Sequence, residues 1–324
     1  EIIKSVTLVD DYIELYPSDN MTPGNALVAV KDAAGTILWS WHIWVADYDP
    51  QSTAQTYYSG AIAMDRNLGA LNVTMGDVRA NGLFYQWGRK DPFPAFADME
   101  QTSMARTYPE NVVEKVEIVG SYEYSILYPY KMLVGTYDWN SIDTLWMSNK
   151  TKYDPCPPGW KVPDGNTSVW AKFNVGPEIY YNKGVIINGA YSAPQAFFPT
   201  TGYIDCYGER GPLTLCSFHW SVTTSSSWEA YALESSSYSN GSVQLYSARN
   251  RRDLSNVRCV KDEALEIQTV EIKDITDTKA VLVGELAVQM ANITSKGFVV
   301  STTSGAPTVH DAEIKLVLGN SSGR

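Results

Sequence analysis

AMDRNLGALNVTMGDVRANGLFYQWGRKDPFP at 63–94, DPCPPGWKVPDG at 154–165 and NVRCVKD at 256–262 decide what kind of fold this chain forms. They set Trp, Tyr and Cys in short runs bounded by glycines and prolines. That is the composition of a loop-rich domain tied by disulfides and displayed in an oxidising compartment. None of the three runs carries recognisable catalytic chemistry.

Within them, GDVRANGLFYQWG at 76–88 reads equally as a helical turn or as a strand entering a loop. RKDPFP at 89–94 is an extended loop, because each proline restricts the residue before it. DPCPPGWKVPDG is a rigid loop leading into TSVWAKF at 167–173, a short helix with Thr167 or Ser168 near its start. Upstream, residues 1–16 alternate as a strand and 17–25 form a turn cluster. ALVAVKDAAGTILWSWHIWV at 26–45 predicts a β-hairpin turning at KDAAG, with Trp39 and Trp41 on one face and His42 on the other. From 185 to 262 the chain reads as short strands, and the aromatic and hydroxyl alternation of 218–238 predicts an antiparallel sheet with one solvated face.

The stretch 95–150 is a variable-looking insert. It carries Tyr128, Tyr130, Trp139 and Trp146 in runs that look exposed, and these four are the candidate ligand-binding residues. Tyr (21) and Trp (10) outnumber Phe (8), so aromatics with a polar handle dominate. Such rings suit half-buried loops, interfaces and sugar or peptide platforms, although most aromatics in any domain fill packing.

The net charge of −11, from 36 acidic and 25 basic residues, argues against nucleic acid and anionic membranes, which need a basic footprint. No run of 18 apolar residues exists, and the chain begins without the features of a signal peptide, so no transmembrane segment is expected. The four cysteines lack the CxxC spacing of a zinc site. Of three possible pairings, Cys206 with Cys216 closes a short hairpin-like loop and leaves Cys156 with Cys259 to close a long one; two disulfides in that pairing are expected. After 263 Cys and Trp vanish, and alternating strands separated by polar turns predict part of an all-β sandwich of immunoglobulin or fibronectin type III kind. The expected organisation is an N-terminal strand and linker at 1–24, a large domain at 25–262, and the partial sandwich at 263–324.

GNALVAVKDAAGTILWSWHIWV, MDRNLGA, GLFYQWGRKDPFP, DPCPPGWKVP, FHWSVTTSSSWEAYAL and NVRCVKD, taken in that order over about 25–262, resemble a module of Bacteroidetes surface and fimbrium-associated lipoproteins. That module is related to the Fibrobacter succinogenes major paralogous domain. The resemblance implies an α+β fold of the C-type lectin-like and formylglycine-generating-enzyme-like kind, with two helices and long loops. Residues 264–324 resemble the fibronectin-like modules that accompany it. It also implies an exported protein at the cell surface, acting in adhesion, pilus assembly or glycan capture. Asp143-Thr144-Leu145 fits the pattern on which this bacterial group attaches O-glycans, so Thr144 is the candidate acceptor.

The calcium-binding loops of C-type lectins need carboxylates and amides that this chain lacks: APQAFFP at 193–199 has the wrong order, and Ser141 stands where a second carboxylate belongs. No metal and no cofactor are expected. The cysteines are assigned to bridges, not to oxidase chemistry. His42, His219 and His310 are isolated in strand-like sequence and read as satisfied structural histidines. Acid pairs such as Asp47 with Asp49 are loop neighbours without the set separation of a glycosidase, and no nucleophile elbow or phosphate loop occurs. The expectation is a binding protein and not an enzyme, recognising a glycan or a host or bacterial surface protein through loop aromatics without calcium. The alternative is a structural pilus or surface-assembly subunit whose aromatic loops serve only its own stability.

Overall fold

The alternation of 24–45 closes the predicted hairpin, Gly24–Lys31 against Ile37–Val45, with Val28 opposite Trp41 and Val30 opposite Trp39. Asp32 builds the turn: its Oδ1 accepts the amides of Ala34 and Thr36 at 2.9 and 2.8 Å, and Gly35 takes a φ of 84°. Ser40, His42 and Trp44 share one face of the second strand. Ser40 Oγ donates to Asp91 Oδ1 at 2.6 Å, His42 Nε2 hydrogen-bonds Asn25 Oδ1 at 2.9 Å, and Trp44 Nε1 donates to the Ala70 carbonyl at 3.1 Å. Trp39 and Trp41 lie on the other face. A second hairpin, Ile3–Val9 with Tyr12–Pro17, precedes this one.

The computed structural model describes residues 2–9, 12–19, 22–57, 60–95, 113–117, 122–135, 139, 142–165, 179–180, 184–187, 196–211, 216–236, 242–262, 266–273, 281–287, 296–300 and 314–319. Among the described residues the protein is mostly β-strand, with very little helix. Among the described residues the helices are Tyr122–Leu127 and a 3-10 turn at Val78–Ala80, so the pair of helices implied by the lectin-like resemblance is not seen there. TSVWAKF lies outside the described residues, as do Trp170 and His310. The chain divides into two compact units, Glu1–Lys261 and Asp262–Arg324.

In the larger unit a five-stranded sheet runs in the order Ser242–Asn250, Glu229–Ser236, Cys216–Thr224, Leu254–Asn256 and Phe84–Gln86. Its pairs are antiparallel except Cys216–Thr224 with Leu254–Asn256. The solvated face expected of 218–238 is absent from the strand Cys216–Thr224, which is buried from Cys216 to Val222. Its polar side chains find partners inside, His219 through Nε2 alone. Ser217 Oγ meets Ser235 Oγ at 2.7 Å, Ser221 Oγ donates to the Tyr231 carbonyl at 2.8 Å, and His219 meets Asn67. Phe218, Trp220 and Val222 face the main core with Tyr85, Trp87, Trp146, Trp160 and the cystine Cys156–Cys259.

The opening run of sequence threads this core. The undecided stretch 76–88 resolves into the 3-10 turn, capped by Asp77 through the Arg79 amide at 2.9 Å, and then the strand Phe84–Gln86. Gly82 lies between them with φ +73°, where a Cβ would fall 2.8 Å from the Leu68 carbonyl oxygen. A smaller sheet joins Trp160–Lys161, Val260–Lys261, Ile62–Ala63 and Gln55–Thr56. It therefore draws the two cystine-bearing segments together.

The expected bridge between Cys206 and Cys216 does not form; both are thiols. Ile204 pairs with Arg210 in a tight turn of its own, whereas Cys216 begins a sheet strand and its carbonyl accepts the Gly202 amide at 2.9 Å. Cys206 thus sits at a turn, and the backbone neighbours of Cys216 are Gly202 and Ser236. In the smaller unit, Glu266–Lys273 pairs with Val281–Ala287 and Lys296–Val300 with Ile314–Gly319, both antiparallel.

Candidate functional site

Glu114–Glu117 and Lys131–Val134 form a parallel pair, so the chain between them must cross over. The crossover carries the helix Tyr122–Leu127. Six residues are too few to hold a helix unaided. Arg89, fully buried at the end of GLFYQWGR, supplies the anchor. Its Nη1 donates to the Lys131 carbonyl at 2.7 Å and to Gln86 Oε1 at 3.0 Å. Its Nη2 donates to the carbonyls of Pro129 at 2.9 Å, Tyr128 at 3.4 Å and Ser125 at 3.5 Å. Burial lowers the Arg89 pKa to about 10, and Asp91 opposes that shift, so the guanidinium is charged at neutral pH. It satisfies the carbonyls left over at the helix end from the inside.

This anchoring turns the tyrosines of YEYSILYPY outward. Tyr124 and Tyr128, four residues apart, stack with ring centroids 4.4 Å apart, and Tyr130 meets Tyr128 edge-on at 6.4 Å. On the other side of the helix Tyr122 meets Tyr153 edge-on at 6.0 Å, and Tyr153 meets Trp39 at 5.8 Å. Tyr122, Tyr124 and Tyr153 all pack against one buried cluster of Leu133, Trp139 and Leu145. The result is a band of two ring trios, Tyr124 with Tyr128 and Tyr130 and Tyr122 with Tyr153 and Trp39, joined only through the buried cluster beneath them and half-buried except for Tyr130, which is 49% exposed.

Lysines flank the rings. Lys131 Nζ lies 4.8 Å from the Tyr128 centroid and pairs with Glu114 at 2.7 Å, a hydrogen bond that raises its pKa. Lys152 Nζ lies 5.2 Å from Tyr153 and 5.4 Å from Trp39. Lys90, 4.5 Å from Trp39, is mostly buried and held by Asp91 and Ser40. Burial lowers its pKa, against the pull of Asp91.

Of the four residues chosen from sequence, Tyr128 and Tyr130 belong to this band. Trp139 and Trp146 do not form an exposed platform: they are 0% and 1% exposed. Each indole donates inward, Trp139 Nε1 to the Trp87 carbonyl at 3.1 Å and Trp146 Nε1 to the Tyr153 carbonyl at 2.9 Å. An indole whose N–H is satisfied in the interior buries its whole hydrophobic surface there. Trp139 supports the band from beneath. Thr144 is exposed, and Asp143 beside it is tied to the buried Arg251 at 2.7 Å.

Sequence reading missed Trp39, Tyr122, Tyr124, Tyr153, Lys131 and Lys152. The i, i+4 spacing of Tyr124 and Tyr128 and the outward face of Trp39 were available signals; nothing local marked Tyr153. Among the described residues no group of three or more His, Cys, Asp or Glu is placed to hold a metal ion. His42 is half-buried and His219 fully buried; burial lowers the pKa of His42 to about 4 and that of His219 well below its ordinary value, the latter with help from Arg258.

Comparison with family models, with curated proteins and with solved structures gave no match.

Proposed function

We propose that the larger unit is a recognition module of an exported, cell-surface protein of the adhesion class, and that it takes up a glycan on this aromatic band without calcium. The observation that carries the reading is the band itself. It holds tyrosine and tryptophan rings in two contacting trios, exposed at Tyr130 and fixed from below by Arg89 and Trp139. The C–H face of a sugar ring stacks on such rings, and phenolic hydroxyls and ammonium groups fix its hydroxyls. The order of motifs over 25–262, with its resemblance to surface and fimbrium-associated lipoproteins, supports the surface location, the lectin-like reading of this unit and the fibronectin-like reading of the smaller one. A cystine spanning 103 residues fits an oxidising compartment. On the same resemblance, Thr144, exposed beside Asp143, is the proposed site of O-glycan attachment.

The test is a glycan array on the full chain, in calcium and in chelator, beside a Tyr128→Ala, Tyr130→Ala variant. Binding that persists in chelator and is lost in the variant supports the reading. A folded protein that is silent on every glycan overturns it.

One feature favours a second reading, an assembly subunit. Val6, Leu8 and Leu15 are exposed on one face of the first hairpin, and an open groove between Ile3, Val6 and 25–28 runs beside them. An apolar hairpin face of this kind is a surface for strand or sheet docking. Sedimentation of the full chain distinguishes the two, since a subunit self-associates and the monomeric binder does not.

A further inference from the structure

We infer that the glycan taken up at the band carries an acidic group, a carboxylate or a sulfate ester, seated at Lys152 between Trp39 and Tyr153; this rests on the band being a glycan site. The argument is one of charge balance in a chain that is acidic overall. Among the described residues around the band, four carboxylates have a basic partner and a fifth, Glu123, has a neutral hydroxyl. Glu114 pairs with Lys131, Asp91 with Lys90, Asp154 with Lys150 and Asp143 with Arg251, while Glu123 accepts the Tyr122 hydroxyl. Lys152 is different. It is exposed, and its contacts among the described residues are the two ring faces.

The helix end does not oppose an anion either. The carbonyls of Ser125, Tyr128, Pro129 and Lys131, which would present partial negative charge, are drawn inward onto Arg89. Beside Tyr122, at the start of the helix, the outward charged groups are the Glu123 carboxylate and the Lys152 ammonium, the latter held over aromatic faces. A ring–ammonium contact at an exposed site is weaker than a charge-assisted hydrogen bond to an anion seated in the same place. An acidic sugar lets Lys152 exchange the weaker contact for the stronger while its pyranose face takes the ammonium's place over the rings. A neutral sugar must displace the ammonium without that gain.

The experiment measures binding of the full chain to three oligosaccharides of one backbone: neutral, carboxylated and sulfated. Wild type, Lys152→Met, Lys152→Arg and the Tyr128→Ala, Tyr130→Ala variant are compared at two salt concentrations. The expected result is that an acidic form binds about tenfold or more tightly than the neutral one, and that added salt weakens it. Lys152→Met abolishes the preference of acidic over neutral forms, and Lys152→Arg restores it. Preference for only the carboxylate or only the sulfate supports the inference and names the group. Equal binding of all three forms, unchanged by Lys152→Met but abolished in the tyrosine variant, overturns the acidic ligand and leaves the glycan reading standing. No binding to any form by folded protein overturns both.

Discussion

Asn67, in the MDRNLGA run, shows how much one buried polar atom can organise. Its Oδ1 accepts from Arg258 Nη2 at 2.9 Å, from Arg258 Nε at 3.2 Å, and meets His219 Nε2 at 3.0 Å, while its Nδ2 donates to the Asn81 carbonyl at 3.0 Å. Asn67→Ala leaves a fully buried guanidinium short of an acceptor. It is expected to cost about 3 kcal/mol in urea unfolding. The histidines give a pH dependence of definite sign. His42 has its pKa lowered by burial to about 4, against roughly 6.5 in the unfolded chain. Below that unfolded value the unfolded state binds a proton that the native state refuses. Stability present above pH 6.5 is therefore lost as pH falls towards 4, by up to about 3 kcal/mol. Asp253 acts in the opposite sense, because burial, resisted by Arg249, raises its pKa to about 7. Comparing unfolding free energies of wild type and His42→Gln between pH 7.5 and 4.5 isolates the histidine. A difference that does not change with pH would contradict its assignment as neutral and half-buried.

The element that matters most is the crossover between Glu114–Glu117 and Lys131–Val134. A parallel pair dictates that a connection exists; Arg89 dictates its shape. Arg89→Met removes donors from four backbone carbonyls at once and is expected to cost about 3–5 kcal/mol. Hydrogen exchange at 125–131 should accelerate more than at the strand Cys216–Thr224, because the helix has little propensity of its own. Uniform acceleration would mean that Arg89 supports the whole core and not this element. Trp139 lies one layer below. Trp139→Ala opens a cavity under Tyr122 and Tyr153 and should cost about 3–5 kcal/mol, read as a lowered urea midpoint with reduced glycan binding.

At the scale of the molecule, one cystine carries the long-range tie. Cys156–Cys259 closes 103 residues, and both of its flanks lie in the small sheet, Trp160–Lys161 against Val260–Lys261. The chain-entropy model gives about 4–5 kcal/mol for such a loop. Reduction, or a Cys156→Ala, Cys259→Ala variant, should lower the stability of the larger unit by that order in denaturant titration. The unit Asp262–Arg324 contains no cysteine, so its own transition should be indifferent to reductant. A shift of both transitions together would show that the two units unfold as one.

What the sequence determined was local. The hairpin of 24–45 is legible because alternation and the Asp32 turn lie within twenty-two residues, and the long cystine is legible because few pairings compete. The exposure of an aromatic was not legible. Trp139 and Tyr130 stand in the same insert with the same kind of neighbours, yet one is buried and the other half out. What separates them is a partner far along the chain: the Trp87 carbonyl takes the Trp139 indole, and Arg89 holds the carbonyls on both sides of Tyr130. The failed Cys206 to Cys216 bridge has the same cause, since Gly202 and Arg210, not sequence proximity, place those two residues. The band joins residue 39, the helix at 122–127 and residue 153, and only tertiary packing on Trp139 brings them together. Periodicity and turn chemistry are properties of neighbouring residues and can be read in order. Burial and the meeting of distant rings depend on which hydrogen-bond partners the folded chain supplies, and the tertiary structure alone decides that.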